Sequence, residues 1–304
     1  MSGAVLTEPV SPGSHAGILF MDGDGYSAMS GHGIIATTTI AFERGLIDPG
    51  VDEGTIVFDT PAGDVRARAL RAPPVSGESD GQAGERGAGG TGEAGKANGT
   101  GRASQRRVES VAFLNVPSFV VRAGISVRLA TRTVRADLAY GGRFYAIVDA
   151  EASGVGLDAP HVPELRRVGM ALARAIESMH QISNPFDRRQ RGVDGVVFTG
   201  PSSDGRADLR NATVFANGQL ARSPSGTGTA AVMAVLDAMG LVDEARPFVH
   251  ESLIGTRFTG RIAGRTVVDE YPAIVPEIEG SSWITGEHTF LVDGSDPFPD
   301  GFRI

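Results

Sequence analysis

The stretch MSGHGIIATTTIAFERGLID at 29–48 returns as PSGTGTAAVMAVLDAMGLVD at 224–243, and this pair decides the fold. At a constant offset of 195, Ser30 meets Ser225, Gly31 meets Gly226, Gly33 meets Gly228 and Ala36 meets Ala231. Gly45, Leu46 and Asp48 then meet Gly240, Leu241 and Asp243. Downstream, VFDTPAG, ending at Gly63, resembles VHESLIG, ending at Gly255, in nearly the same register. The chain therefore contains a duplicated unit. Each copy opens with Ser-Gly-x-Gly, continues as a helix rich in small residues, and stops at a glycine suited to the left-handed position after a helix. Glycine at the start lets backbone N–H groups approach a ligand, and the helix dipole favours negative charge there. Two such ends related by a pseudo-twofold bracket one small anion, with the hydroxyls of Ser30 and Ser225 on opposite faces of whatever carries it. A plain N-cap role for each serine, with no chemistry attached, is the alternative.

Outward from the repeat, the chain reads mainly as strands. The runs 16–20, 55–58, 111–114, 134–140, 144–148, 196–199, 212–215, 258–262 and 289–292 are short, β-branched or aromatic, and punctuated by Gly and Pro. A further helix is predicted over 163–180, where Leu165, Val168, Leu172, Ile176 and Met179 recur at three- and four-residue spacing. From 73 to 107 the character changes, with ten glycines between Gly77 and Gly101 and no large apolar residue among them. Such a segment cannot bury enough surface to offset its ordering entropy, so it reads as a disordered insertion that lengthens a hairpin loop. Asp22 and Asp24 in DGDGY read as turn residues, and Trp283 and Tyr145 as core.

Composition narrows the function classes. The 304 residues, 41% hydrophobic and 21% charged, suffice for two lobes of roughly 150 residues each. A net charge of -8 and a pI near 5.3 argue against a nucleic-acid footprint. There is no run of 18 apolar residues and no signal-like pattern in MSGAVLTEPV, so a membrane span is not expected and the cytoplasm is the simplest location. Cysteine is absent, which removes disulfides, thiolate nucleophiles and zinc–thiolate sites. His15, His161, His180, His250 and His288 are scattered without metal-ligand spacing, so no metal is expected. Neither serine sits in a G-x-S-x-G elbow, which argues against a serine hydrolase.

With those residues in view, the sequence resembles the proline racemase superfamily, which includes proline racemase, 4-hydroxyproline 2-epimerase and trans-3-hydroxyproline dehydratase. The matching stretches are MSGHG at 29–33, DTPAG at 59–63, NVPSF at 115–119 and AYGGRFYAIVDA at 139–150. The C-terminal half adds RSPSGTGTAA at 222–231, FVHESLIGTRFTG at 248–260 and DPFPDGF at 296–302. The resemblance implies an α/β (α+β) fold of two similar lobes related by a pseudo-twofold, each a curved sheet around a central helix, with the ligand cleft between them. It divides the chain into a first lobe, 1–128 plus about 286–304, and a second lobe, 129–285. It implies that backbone amides of Gly31, His32, Gly226 and Thr227 hold a ligand carboxylate, beside Gly33 and Gly228, while Phe215 packs on an imino-acid ring. No cofactor is implied; the partners implied are a small imino acid, proline or a hydroxyproline, and a second copy in a homodimer.

The chain departs from the family pattern at the positions that carry the chemistry. Racemases and epimerases of the family have cysteine at both positions filled here by Ser30 and Ser225, and the dehydratase has cysteine at the first and threonine at the second. A serine hydroxyl is a far weaker acid than a thiol and needs an activating partner, for which His32 is the candidate. Ala221 replaces a family aspartate that meets the ligand's ring nitrogen, and Ser2 falls where proline racemase has an aromatic residue, which favours a more polar ligand. Family members carry further strands ahead of the point matched by Met1, so a truncated gene model or a decayed gene is expected. The favoured activity is one-base dehydration of trans-3-hydroxy-L-proline. The alternatives are two-base racemisation or epimerisation at the α-carbon, and a catalytically inactive imino-acid-binding homologue.

Overall fold

The computed structural model describes residues 3–22, 25–48, 54–71, 107–129, 132–185, 187, 190–289 and 291–298. The disorder expected over 73–107 therefore falls outside the described residues, Arg107 excepted, as do the readings placed on Ser2, Asp24 and the end of DPFPDGF.

The first copy of the repeat is β1 (Gly3–Thr7), β2 (Ala16–Asp22), β3 (Gly25–Ser27), α1 (Gly31–Arg44), β4 (Thr55–Thr60), β5 (Gly63–Arg71) and β6 (Val108–Leu114). β7 (Ser118–Arg128), β8 (Thr133–Tyr140), β9 (Phe144–Asp149) and α2 (Val162–Met179) follow. The second copy is β10 (Gly195–Gly200), β11 (Leu209–Phe215), α3 (Gly226–Ala238), β12 (Phe248–Ser252), β13 (Arg257–Val268) and β14 (Tyr271–Gly280). Topology repeats as the sequence does. β1 and β2 are antiparallel like β10 and β11, and β2 and β4 are parallel across α1 as β11 and β12 are across α3. The glycine stops are also realised, with Gly45 and Gly240 at φ of 62° and 70°.

One mixed sheet contains both copies, in the order β1-β2-β4-β5-β6-β14-β13-β12-β11-β10-β9-β8-β7, with β3 on β2. β14 also pairs with β7 through Ala273 and Ile274, so strands β7 to β14 close into a barrel-like ring. The half from β1 to β6 stays open. α3 is apolar almost all round, with every residue from Gly226 to Val235 buried, as expected of a helix enclosed by sheet. α2 is amphipathic and packs Leu165, Val168, Leu172 and Ile176 on β10 and β11. Among the described residues β1 and β2 have no counterpart of α2 on them, and all five residues of β1 are exposed.

A carboxylate on the strand after each repeat helix ties down the preceding hairpin. Asp59 accepts from the Ser11 amide at 2.9 Å and the Ser14 hydroxyl at 2.7 Å, while Glu251 accepts from the hydroxyls of Ser202 and Ser203. The insertion joins β5 to β6, which are antiparallel neighbours, so it does extend a hairpin connection. Two expectations fail. Residues 289 and 291–292 form no strand, because among the described residues no neighbour pairs with them, and Leu291 is 90% exposed. Trp283 lies in the irregular segment after β14 and is 70% exposed rather than core.

The two copies meet where α1 and α3 begin. A Cβ on Gly31 would stand 2.8 Å from the Cα of Gly226, and the reverse holds equally. Backbone lies against backbone, so neither position has room for a side chain. Gly226→Ala is expected to destabilise the protein by about 1–3 kcal/mol, the usual cost of overpacking, and thermal unfolding measures it; an unchanged melting temperature would mean the helix ends are not in contact.

Candidate functional site

Both serines of the repeat end up at helix starts on one cleft. Ser30 is the N-cap of α1 and accepts from the Gly33 amide at 3.3 Å; Ser225 is the N-cap of α3 and accepts from the Gly228 amide at 3.1 Å. The N-cap reading is thus realised at both positions, and it leaves their hydroxyl protons available to other partners. The amides of Gly31, His32, Gly226 and Thr227, as the first of each helix, have no intrahelical acceptor. These are the groups suited to an anion. A cleft of about 690 Å³ lies over Gly31, His32 and Thr227, and its walls also include Ser30, Arg143, Tyr145, Phe215 and Ser225.

The two sides are not equivalent. Ser30 has ordinary extended geometry at φ −144°, whereas Ser225 sits at φ 64° and ψ 116°. Such a conformation costs a non-glycine residue about 1–3 kcal/mol and persists only where the surroundings hold it. Below Ser225 they do. Asn211 Nδ2 donates to the Pro224 carbonyl at 3.1 Å and lies 2.8 Å from His250 Nε2. The other nitrogen of His250, Nδ1, is 2.9 Å from Thr229 Oγ1, so a neutral ring accepts from Asn211 and donates to the threonine. His250 is fully buried, and burial pushes its pKa down to about 3. The first copy has Phe58 at the position matching His250, so this polar anchor serves the Ser225 side alone.

Proton partners also differ. The Ser30 hydroxyl lies 3.3 Å from His32 Nε2. The His32 ring reaches solvent through the cleft mouth yet sits among protein atoms. That desolvation, with the charges of Arg143 and Arg222, holds its pKa below the ordinary value and keeps it neutral near pH 7. On the other side the Ser225 side chain lies beside the Tyr145 hydroxyl. Tyr145 Oη is 2.9 Å from Thr227 Oγ1 and within the influence of the Ser225 side chain. Burial raises the Tyr145 pKa, so this phenol stays protonated.

Tyr145 is therefore both what the sequence predicts, a buried strand residue, and something it does not show, a hydroxyl at the cleft. Arg143 is a second residue missed by sequence reading. It lies inside the AYGGRFYAIVDA stretch, where only an arginine at a glycine turn could have singled it out. Phe215, expected against a ring, is half-buried in the cleft wall.

A closed and an open half-sheet, with two serine-capped helix starts facing one cleft, define a two-lobed protein. The family model described as Proline racemase matches residues 1–74 and 91–303, and the chain belongs to that family. The trans-3-hydroxy-L-proline dehydratase of Bacillus cereus is 34% identical over 304 residues, spanning 100% of this chain and 81% of its own length. The 4-hydroxyproline 2-epimerase of Streptosporangium roseum is 36% identical over 305 residues, spanning 100% of this chain and 82% of its own length. A crystal structure of a hydroxyproline epimerase from Agrobacterium vitis, with bound trans-4-OH-L-proline, superposes with a TM-score of 0.83 at 29% identity, covering 100% of this chain and 78% of that one. Among the described residues no helix is long and apolar enough to cross a membrane.

The neutral burial of His250 sets a pH dependence of stability. Its folded pKa of about 3 lies below the ordinary histidine value, so between the two the unfolded chain binds the extra proton. Its contribution is complete above about pH 6.5 and declines by up to about 1.4 kcal/mol per pH unit as pH falls. His250→Gln, which cannot titrate, is expected to show a shallower loss of melting temperature between pH 6.5 and 4; an identical slope in both proteins would exclude His250 as its source.

Proposed function

We propose that the chain removes the α-proton of trans-3-hydroxy-L-proline and expels water, as a hydro-lyase of the proline racemase family. The observation that carries this reading is that, among the described residues, Ser30 has an imidazole beside it while Ser225 has the Tyr145 phenol. Loss of a β-hydroxyl group needs a base on one face of the α-carbon; racemisation or epimerisation needs a proton carrier on both. In this reading the amides of Gly31, His32, Gly226 and Thr227 hold the substrate carboxylate, and Phe215 packs on the ring. The amides of Gly33 and Gly228 fix the serine oxygens. Neutral His32 takes the Ser30 proton, and the Ser30 oxygen takes the proton from the α-carbon. The freed electron pair forms a double bond to the neighbouring ring carbon, whose hydroxide leaves as water with a proton from Ser225. Tyr145 and Thr227 supply the hydrogen bonds through which Ser225 regains its proton. The name of the Bacillus cereus relative supports the same choice.

The inactive, imino-acid-binding reading is favoured by one feature, serine at both reacting positions in a chain without cysteine. Proton NMR in deuterated buffer with L-proline, trans-4-hydroxyproline and trans-3-hydroxyproline separates the readings. A pyrroline carboxylate from the 3-hydroxy substrate alone is expected. Exchange of the α-proton with inversion of L-proline or the 4-hydroxy substrate would put the two-base reading in its place, and silence from a protein that binds all three would leave the inactive one.

If Ser30 and His32 act together, His32→Gln lowers kcat about 100-fold, within the range for a lost general base. Ser225→Ala is expected to cost less than Ser30→Ala. The kcat/KM profile should rise with pH through the His32 pKa and level off, with its midpoint below about 6.5 because burial and the two arginines hold that pKa down. A midpoint above that value would remove His32 from the proton path.

A further inference from the structure

The turn between β8 and β9 is wedged between the two helix starts. The backbone of Gly141 packs on Thr227 and Ala231, and Gly142 packs on Met29 and Thr227. Arg143 follows directly. Its Nε donates to the Met29 carbonyl at 3.1 Å, and its guanidinium carbon stands 5.7 Å from the centroid of the Phe215 ring. The side chain is half-buried and forms part of the cleft wall beside Ser30 and Ser225. Among the described residues its Nη groups donate to no one. A guanidinium fixed at Nε, with an aromatic ring beside it, has its remaining fork set in advance for a planar anion.

After burial, the charge of Arg143 is the leading influence on His32, on Tyr145 and on Asp194. The other charged groups of the wall are Asp22, Arg191 and Asp194. Asp194 spends one oxygen on the Phe144 amide at 2.8 Å, and its burial favours the uncharged form. A zwitterionic imino acid is neutral overall, and its carboxylate is matched by the helix-start amides alone. Nothing in plain proline answers a second, preset cation.

We propose that Arg143 is a second anion-binding site in this cleft, which lets the cleft take small imino acids carrying two carboxylates, one at the starts of α1 and α3 and the other on the Nη fork of Arg143. The position of the first carboxylate rests on the family reading of the cleft; the second rests on Arg143. A hydroxyproline-like ring with one further carboxylate is then held more tightly than plain proline.

Calorimetric titration of the full chain and of Arg143→Gln tests this, with L-proline, cis-pyrrolidine-2,5-dicarboxylate and the ringless glutarate as probes. The dicarboxylates are expected to bind the unaltered chain at least about tenfold more tightly than L-proline, in keeping with a charge-assisted pair of hydrogen bonds. In Arg143→Gln, shown to be folded by circular dichroism, that ratio should fall towards one. Equal affinity for mono- and dicarboxylates, or a preference that survives the substitution, would overturn the proposal. If L-proline binds and exchanges its α-proton while the dicarboxylates are excluded, the Arg143 site falls and the family reading stands. If the dicarboxylates bind through Arg143 without any proton exchange or water loss from imino acids, the anion site stands and the proposed reaction falls. Binding of none of the probes overturns both.

Discussion

The contact of Gly31 with Gly226 is the constraint on which the rest of the molecule depends. Two helices, one from each copy of a duplicated unit, begin backbone to backbone, and every other feature of the cleft is measured from that point. Because the starts touch, their unpaired amides face a common space, and the caps Ser30 and Ser225 fall on its two sides. Side-chain chemistry plays no part in this arrangement. It requires only that nothing larger than hydrogen stand between the chains, which explains why glycine occurs at both places in an otherwise diverged repeat.

Duplication provides symmetry, and the structure then breaks it. The first serine has an imidazole partner and relaxed geometry. The second has a strained backbone, hydroxyl neighbours and a buried polar support in Asn211, Thr229 and His250. A group held rigidly but without a base is suited to donating a proton or a hydrogen bond. A group beside a neutral histidine is suited to accepting one. That division of labour, more than the identity of either serine, inclines the site to one-sided chemistry.

Much of the frame was legible in the sequence because it depends on local rules. The Ser-Gly-x-Gly openings, the glycine stops and the small-residue helices are read from spacing, and so are most strands and the helix that became α2. What escaped depends on neighbours distant in the chain. Tyr145 is a core residue by pattern, and only its hydroxyl, reaching Thr227 across 82 positions of sequence, brings it to the cleft. His250 looked like one more scattered histidine until the strand order put it under Pro224 and Thr229. Arg143 is one charged residue after two glycines, and its bond to Met29 spans 114 positions. The run around Leu291 failed in the opposite sense, since apolar alternation makes a strand only where a partner edge is available.

The closed ring and the open half-sheet also divide the molecule mechanically. Strands β7 to β14 have neighbours on both sides, while β1 is bonded, among the described residues, to β2 alone and has every residue exposed. Local opening begins where hydrogen bonds and buried contacts are fewest. Fluctuation therefore enters the fold from β1 and spreads through β2 and β3 to the start of α1, so amide exchange should be fast along that path and slow around the ring. The cleft thus has one stiff wall, carrying Ser225, and one compliant wall, carrying Ser30 and His32. A ligand arriving from solvent meets an anvil on one side and a yielding jaw on the other, and it is the jaw that carries His32.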